Sequence, residues 1–340
     1  MLLEEFRPRS FLETGKTTVP KAKYPVIDTH THFSKRALED DFFTQYDTEK
    51  VVEDLREHGI MKVVSLDFGH GEMRPRVLRK IEGSEDFFIL FGGVDVSRFE
   101  EPGFEAYARA CVADGVRMGM RGIKMSKRVG LGIRDAEGRY LRPDDQRLSV
   151  IYETAAEMHL PVVCHIGDPR CFFEPADRYN ERYSELCSHP DWCFQDPSFY
   201  RFEQLMEMQE HMISSHPDTT FIIAHVGSWS ENLRQVSAWL DAYPNMYVDI
   251  AARINELGRQ PYTAKAFLER YSSRIFFGTD FTPYDDVFHP VYFRFLETDD
   301  EYFDPGGEEG NSPWNIYGVG LQNEALQDIY YRNAQRLLAL

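Results

Sequence analysis

The chain has 340 residues, 42% of them hydrophobic and 28% charged, a globular usage that excludes a disordered protein. Lys and Arg number 38 against 56 Asp and Glu, a formal charge of −18, so nucleic acid and anionic membrane are repelled and a small-molecule substrate is the natural partner. Apolar runs are too short to span a bilayer, and the opening MLLEEFRPRS is not a secretory signal. Five cysteines without a C-x-x-C pair read as free thiols of a cytoplasmic protein.

In chain order, residues 1–23 precede the first strand and are expected to pack outside a single domain formed by residues 24–340. Strands are predicted at Pro25–Asp28, Lys62–Phe68, Phe87–Asp95, Met120–Met125, Pro161–Gly167, Phe221–Gly227, Met246–Ala251 and Ile275–Phe281. Most are nearly continuous in apolar residues, as strands buried on both faces must be. Helical spacing falls between them. Thr48–His58 places Val51, Val52 and Leu55 on one side and stops at Gly59, and Gly103–Val116, Arg147–His159, Phe202–Ser215, Glu231–Tyr243 and Tyr262–Tyr271 follow the same pattern. Asp168–Arg201, dense in aromatic residues, and Thr298–Gly320 fit no regular element and are expected to be long loops after strands five and eight, walling a pocket.

Eight buried strands alternating with helices predict an α/β fold, the closed (β/α)8 TIM barrel, whose sites lie at the C-terminal ends of the strands. An open doubly wound sheet is the competitor. It lacks the glycine-rich phosphate fingerprint expected after its first strand.

The candidate chemistry falls where that fold would place it. In Val26-Ile27-Asp28-Thr29-His30-Thr31-His32-Phe33 the two histidines share one strand face and make a natural chelate. His165 closes Pro161-Val162-Val163-Cys164, and His225 closes Phe221-Ile222-Ile223-Ala224. Ile275-Phe276-Phe277-Gly278-Thr279-Asp280 ends the last strand in a carboxylate, which burial would neutralise unless a cation stood beside it. Three imidazoles and a carboxylate suit zinc or another first-row metal, manganese or iron. Cys164 points away from its neighbour His165 and reads as core. Asp249 and Arg253 are expected to pair with each other, Asp67 to cap or support, and Lys127 to be a surface charge.

These motifs, with the closing helix Asn323–Leu337, resemble the amidohydrolase superfamily, and within it the amidohydrolase-related branch that includes aminocarboxymuconate-semialdehyde decarboxylase-like proteins. The resemblance runs from about Pro25 to Leu340. It implies His30, His32, His165 and Asp280 as ligands of one divalent metal, with zinc favoured. Asp280 doubles as proton acceptor, and His225 is an acid/base residue or the ligand of a second ion. Lys124, in Met120-Arg121-Gly122-Ile123-Lys124, is a carbamate bridge between two metals, a cation for a substrate carboxylate, or structural. Arg170 is a second candidate for a substrate carboxylate, with solvation as its alternative.

That site can activate water to hydrolyse an amide, ester or lactone. The same ligands can stabilise the charge released when a small unsaturated or aromatic acid loses CO₂. A metal-free binding protein is the third reading. A homodimer would be unsurprising for such a barrel.

Overall fold

The computed structural model describes residues 10–33, 46–283, 288–306 and 314–340. Eight strands run β1 (Val26–Thr31), β2 (Ile60–Gly69), β3 (Phe88–Gly92), β4 (Met120–Met125), β5 (Val162–Cys164), β6 (Phe221–Ile223), β7 (Met246–Asp249) and β8 (Ile275–Phe276). They pair in parallel in that order. Between β1 and the stretch following β8 the ring closes: Thr29 N–H donates to Phe277 O at 2.9 Å, Asp280 N–H to His30 O at 2.8 Å and His32 N–H to Phe281 O at 2.8 Å. The fold is a (β/α)8 barrel. Each predicted strand is present, several of them shorter than their apolar run.

Strand residues alternate between two environments. Ile27, Val64, Ile89, Phe91, Val163, Ile222 and Phe276 face the interior, whereas Val26, Val63, Ile123, Val162 and Phe221 pack under the helices. Gly122 is glycine because a Cβ there would stand 2.2 Å from the Phe91 ring, which fills the barrel at that level. From below, Ala334 and Leu338 enter the same inner cluster. Their helix, Asn333–Leu338, is pinned by Asn333, whose amide donates to Ser272 O and Ile275 O.

Two elements depart from the sequence reading. Met73–Lys80 is helical although its Arg-Pro-Arg start breaks the apolar spacing. After β8 a helix intervenes, His289–Glu297, so residues 298–320 follow a helix instead of the strand itself. Segment 168–201 carries short helices at Arg170–Phe173, Tyr183–Ser188 and Pro190–Trp192, with Phe172 and Phe194 buried. Within residues 10–23, Thr17 donates to Asp300 from both N–H and Oγ1, and Ala22 N–H donates to His58 O.

Candidate metal centre

The strand ends assemble one cluster. His30 lies in β1 and His32 one residue past it, Lys124 lies in β4, His165 follows β5, His225 follows β6, Asp249 ends β7 and Asp280 follows β8. Asp280 lies past β8 at a left-handed φ of 69°, but His165 and Lys124 follow from alternation, each two residues from an inward side chain or glycine of its strand (Val163, Gly122). His225 does not. It reaches the interior because His225, Val226, Gly227 and Ser228 all adopt left-handed φ of 58–70°, a turn that L-residues with a Cβ rarely accept and that marks functional sites.

Every imidazole of the cluster has one nitrogen held by an acceptor. His30 Nδ1 is 2.8 Å from Asp249 Oδ2, His32 Nδ1 is 2.7 Å from Asp67 Oδ1, His165 Nε2 is 3.0 Å from Asp168 Oδ1, and His225 Nδ1 is 2.9 Å from Ala251 O. The opposite nitrogens face one another. His32 Nε2 is 3.2 Å and His30 Nε2 3.6 Å from Asp280 Oδ1, and His225 Nε2 is 3.4 Å from His165 Nδ1. Atoms bound tetrahedrally to one ion at about 2.0–2.1 Å stand roughly 3.3–3.4 Å apart, a spacing that each of these three pairs approaches. One nitrogen each of His30 and His225 and an oxygen of Asp280 fall within 4.8 Å of one another.

His30 Nε2 supplies the test of fit. It is sealed from solvent, accepts no hydrogen bond, and belongs to a fully buried ring whose other nitrogen is committed to Asp249. An orphaned lone pair of this kind is costly without a partner, and a divalent cation is the partner its donor set suits.

Burial holds His30 well below the ordinary imidazole pKa, helped by the charge of Lys124. Burial likewise depresses His165 to about 4 and His225 well below its usual value. These three rings are neutral and offer lone pairs at neutral pH. For His32 burial is outweighed by Asp67 on one side and Asp280 on the other, and its pKa rises to about 9. Burial also opposes ionisation of Asp280, but the hydrogen bond from His32 and the neighbouring His30 hold its pKa well below the carboxylate range. A proton between His32 and Asp280 thus occupies the place a cation would take.

Lys124 Nζ is buried with no hydrogen-bond partner. Burial lowers its pKa while Asp280, Asp249 and Asp67 pull the other way. Cys164 is core, its thiol pushed up to about 12 by burial. Arg170 is not brought to the cluster. It is half exposed, pairs with Glu203 at 3.0 Å, and lines a 480 Å³ cleft with Glu174, Asp177 and Glu231.

The expected Asp249–Arg253 pair does not form. Asp249 spends one oxygen on His30, and the other accepts from the backbone N–H groups of His225 (2.9 Å) and Ala251 (3.1 Å). Lys127 is no bare surface charge: its Nζ lies 2.7 Å from Asp168, whose second oxygen meets His165. The acid three residues beyond a strand-end histidine was the available signal for Asp168. Gly278 is the remaining constraint, since a Cβ there would lie 2.9 Å from His30 Cβ.

A family model described as Amidohydrolase matches residues 27–340. No curated protein sequence matches the chain. Solved structures share the fold. A dihydroxybenzoic acid decarboxylase from Polaromonas sp. JS666 with bound manganese and 2-nitroresorcinol is 16% identical with a TM-score of 0.58, covering 93% of this chain and 97% of its own. A 5-carboxyvanillate decarboxylase from Novosphingobium aromaticivorans, complexed with manganese, is 14% identical with a TM-score of 0.53 over 96% and 100%. An amidohydrolase from Burkholderia multivorans with bound zinc is 12% identical with a TM-score of 0.54 over 93% and 99%.

Proposed function

The chain belongs to the amidohydrolase family, and we propose that it is a metal-dependent carboxy-lyase that removes CO₂ from a small unsaturated or aromatic acid. The observation carrying this reading is the group formed by one nitrogen each of His30 and His225 and an oxygen of Asp280, within 4.8 Å of one another, beside a buried Lys124 Nζ that has no hydrogen-bond partner. A neutral amide or ester gives that ammonium nothing to meet, whereas an acid supplies its counterion. The decarboxylases among the similar structures support the same choice.

His30, His32, His165 and Asp280 would hold the ion, zinc or manganese. Bound there, it supplies Lewis-acid chemistry, stabilising charge that develops on a substrate oxygen. Lys124 attracts and orients the acid. As the bond to the carboxylate breaks, CO₂ leaves and the electron pair stays on the substrate carbon, which must then take a proton. His225 is placed to relay it: with Nδ1–H donating to Ala251 O, its unprotonated Nε2 first takes a proton from water and then passes it to that carbon, the hydroxide left behind combining with CO₂ as bicarbonate. The surrounding Asp249, Asp67 and Asp168 keep the rings in register and exclude other tautomers.

Hydrolysis is the second reading, favoured by the family description and by Asp280, which can accept the proton of an attacking water. Metal analysis and a substrate panel separate the two. Purified protein should carry about one equivalent of divalent metal, and aromatic or unsaturated acids should release CO₂. His225→Asn should retain the metal while turnover falls at least 100-fold. Acid product from esters or lactones with no CO₂ from any acid would replace this reading with hydrolysis, and failure to bind metal would overturn both.

A further inference from the structure

Asp28 lies on β1 two residues before His30 and is fully buried. A carboxylate offers about four lone-pair sites, and on this one each is taken. Oδ1 accepts the N–H groups of His30 (3.1 Å) and Thr279 (3.2 Å), and Oδ2 accepts the Thr279 hydroxyl and His289 Nε2–H (2.9 Å). The Thr279 hydroxyl in turn accepts the Phe281 N–H at 3.2 Å, and Asp280 N–H donates to His30 O at 2.8 Å. Asp280 is thus bracketed on both sides by groups that lead back to Asp28. It needs that grip, because its φ of 69° is left-handed and such a backbone persists only where its surroundings over-determine it. The outcome is a His30 Nε2 standing 3.6 Å from Asp280 Oδ1 across the closure of the barrel.

His30 and Thr279 donate to Asp28 from the strand ends themselves. His289 is brought in from outside the sheet, by the helix His289–Glu297. Packing alone does not demand an imidazole there. The ring is fully buried among Phe277, Phe281, Phe288 and Phe293, with centroids 5.4–6.4 Å away. Its Nδ1 is sealed from solvent and has no hydrogen-bond partner among the described residues. Phenylalanine would fill that nest without burying an unmet nitrogen, so on this side the histidine costs stability. What its polarity supplies is the Nε2–H bond to Asp28. One turn along, Tyr292 Oη donates to Thr279 O at 3.2 Å and accepts the Ala252 N–H at 2.9 Å, so the same helix grips Thr279 a second time.

We propose that His289 is a positioning residue of the metal centre: by holding Asp28 it fixes His30 on β1 and Asp280 beyond β8 at the separation a shared ion requires. With Nε2 spent on Asp28 and Nδ1 sealed among aromatic rings, His289 is not itself a ligand. It acts through Asp28 and Thr279, as the carboxylates behind metal-binding imidazoles do for their rings. This rests on the cluster being the metal centre, and it holds whichever bond the enzyme cleaves.

The test uses the full chain, stripped by chelation, with zinc and cobalt(II) as probes. Zinc affinity is read by competition with a chromophoric chelator, and ligand geometry by the visible absorption of bound cobalt. His289→Phe should weaken zinc binding roughly 10- to 100-fold, the range for losing a group that supports metal ligands, and should alter the cobalt band. His289→Gln, whose amide nitrogen reaches the position of Nε2, should restore most of the affinity and the wild-type band. Leu338→Ala, which opens a cavity in the barrel floor, should lower the melting temperature and leave both readings unchanged. Wild-type affinity and band in His289→Phe would reduce the ring to packing and overturn the proposal. So would an equal loss of affinity in Leu338→Ala, since the effect would then be one of stability, or no recovery in His289→Gln. Failure of the metal-centre reading is distinguishable, because wild type itself would then bind neither zinc nor cobalt.

Discussion

His32 differs from the other three rings in its proton. Its pKa of about 9 lies above the ordinary 6.5 because Asp67 and Asp280 together outweigh burial, so in the metal-free protein the ring is charged at neutral pH. The sign follows: a raised pKa contributes stability fully present below pH 6.5 and lost as pH climbs through 9. A cation at Nε2 must displace that proton. Titrating zinc into the chelated protein at pH 7.5 should release about one proton, measured by calorimetry in buffers of different ionisation enthalpy. The release should fade by about pH 10, and apparent affinity should climb roughly tenfold per pH unit up to 9. Unchanged heats across buffers would remove His32 from the ligand set. At this scale much was legible, because the H-x-H pair, His165 and Asp280 all stand at or just past the ends of apolar strand runs. The partners of the rings were less so. Asp67, Asp168 and Asp249 reach their histidines across the barrel mouth, over separations of 35, 3 and 219 residues, and only the middle one is local enough to read.

Among elements, the turn after β6 is the costly one. Val226 is β-branched at φ 58°, and Ser228 adopts φ 61° with its hydroxyl buried and unbonded. The turn is what aims His225 inward, so its cost is tied to the site. Ser228→Gly should relieve the left-handed penalty and remove an unsatisfied hydroxyl, stabilising the chain by roughly 1 kcal/mol after the entropy of glycine is deducted. Denaturant unfolding of the metal-free protein checks this, and a loss of stability would mean the Ser228 side chain carries packing that its lack of partners hides. Apolar runs and glycine stops made the strands and most helices readable. His289–Glu297 was not, because Pro290 and the Tyr292, Phe293 and Phe295 aromatics blur helical spacing. Its first residue is nonetheless central: fully buried, His289 donates from Nε2–H to Asp28 Oδ2 (2.9 Å), the same carboxylate that receives Thr279 and the His30 N–H.

For the whole molecule, the seam between β1 and β8 is where metal and fold meet. The ladder there is thin, one parallel bridge at Thr31 and Phe281 supported by the hydrogen bonds of Thr29, Asp280 and His32. His30 and His32 lie on one side of it and Asp280 on the other, so an ion bound by all three would staple the ring shut. Chelation should lower the melting temperature, with roughly 4 kcal/mol lost relative to metal at 1,000 times its dissociation constant. Hydrogen exchange should quicken first at the His32 and Asp280 amides. Uniform acceleration over all eight strands would place the ion's effect elsewhere. The overall charge of −18 makes local cations matter more, since an acid must approach an acidic surface to reach Lys124.

The helix beneath the barrel imposes an order on biosynthesis. Ala334 and Leu338 fill the floor, and Arg121 of β4 donates to Leu338 O at 3.0 Å, yet these residues leave the ribosome after every strand has emerged. Nascent chains therefore hold eight strands around an open apolar base for the interval before that helix arrives, which is the window in which a chaperone would find them.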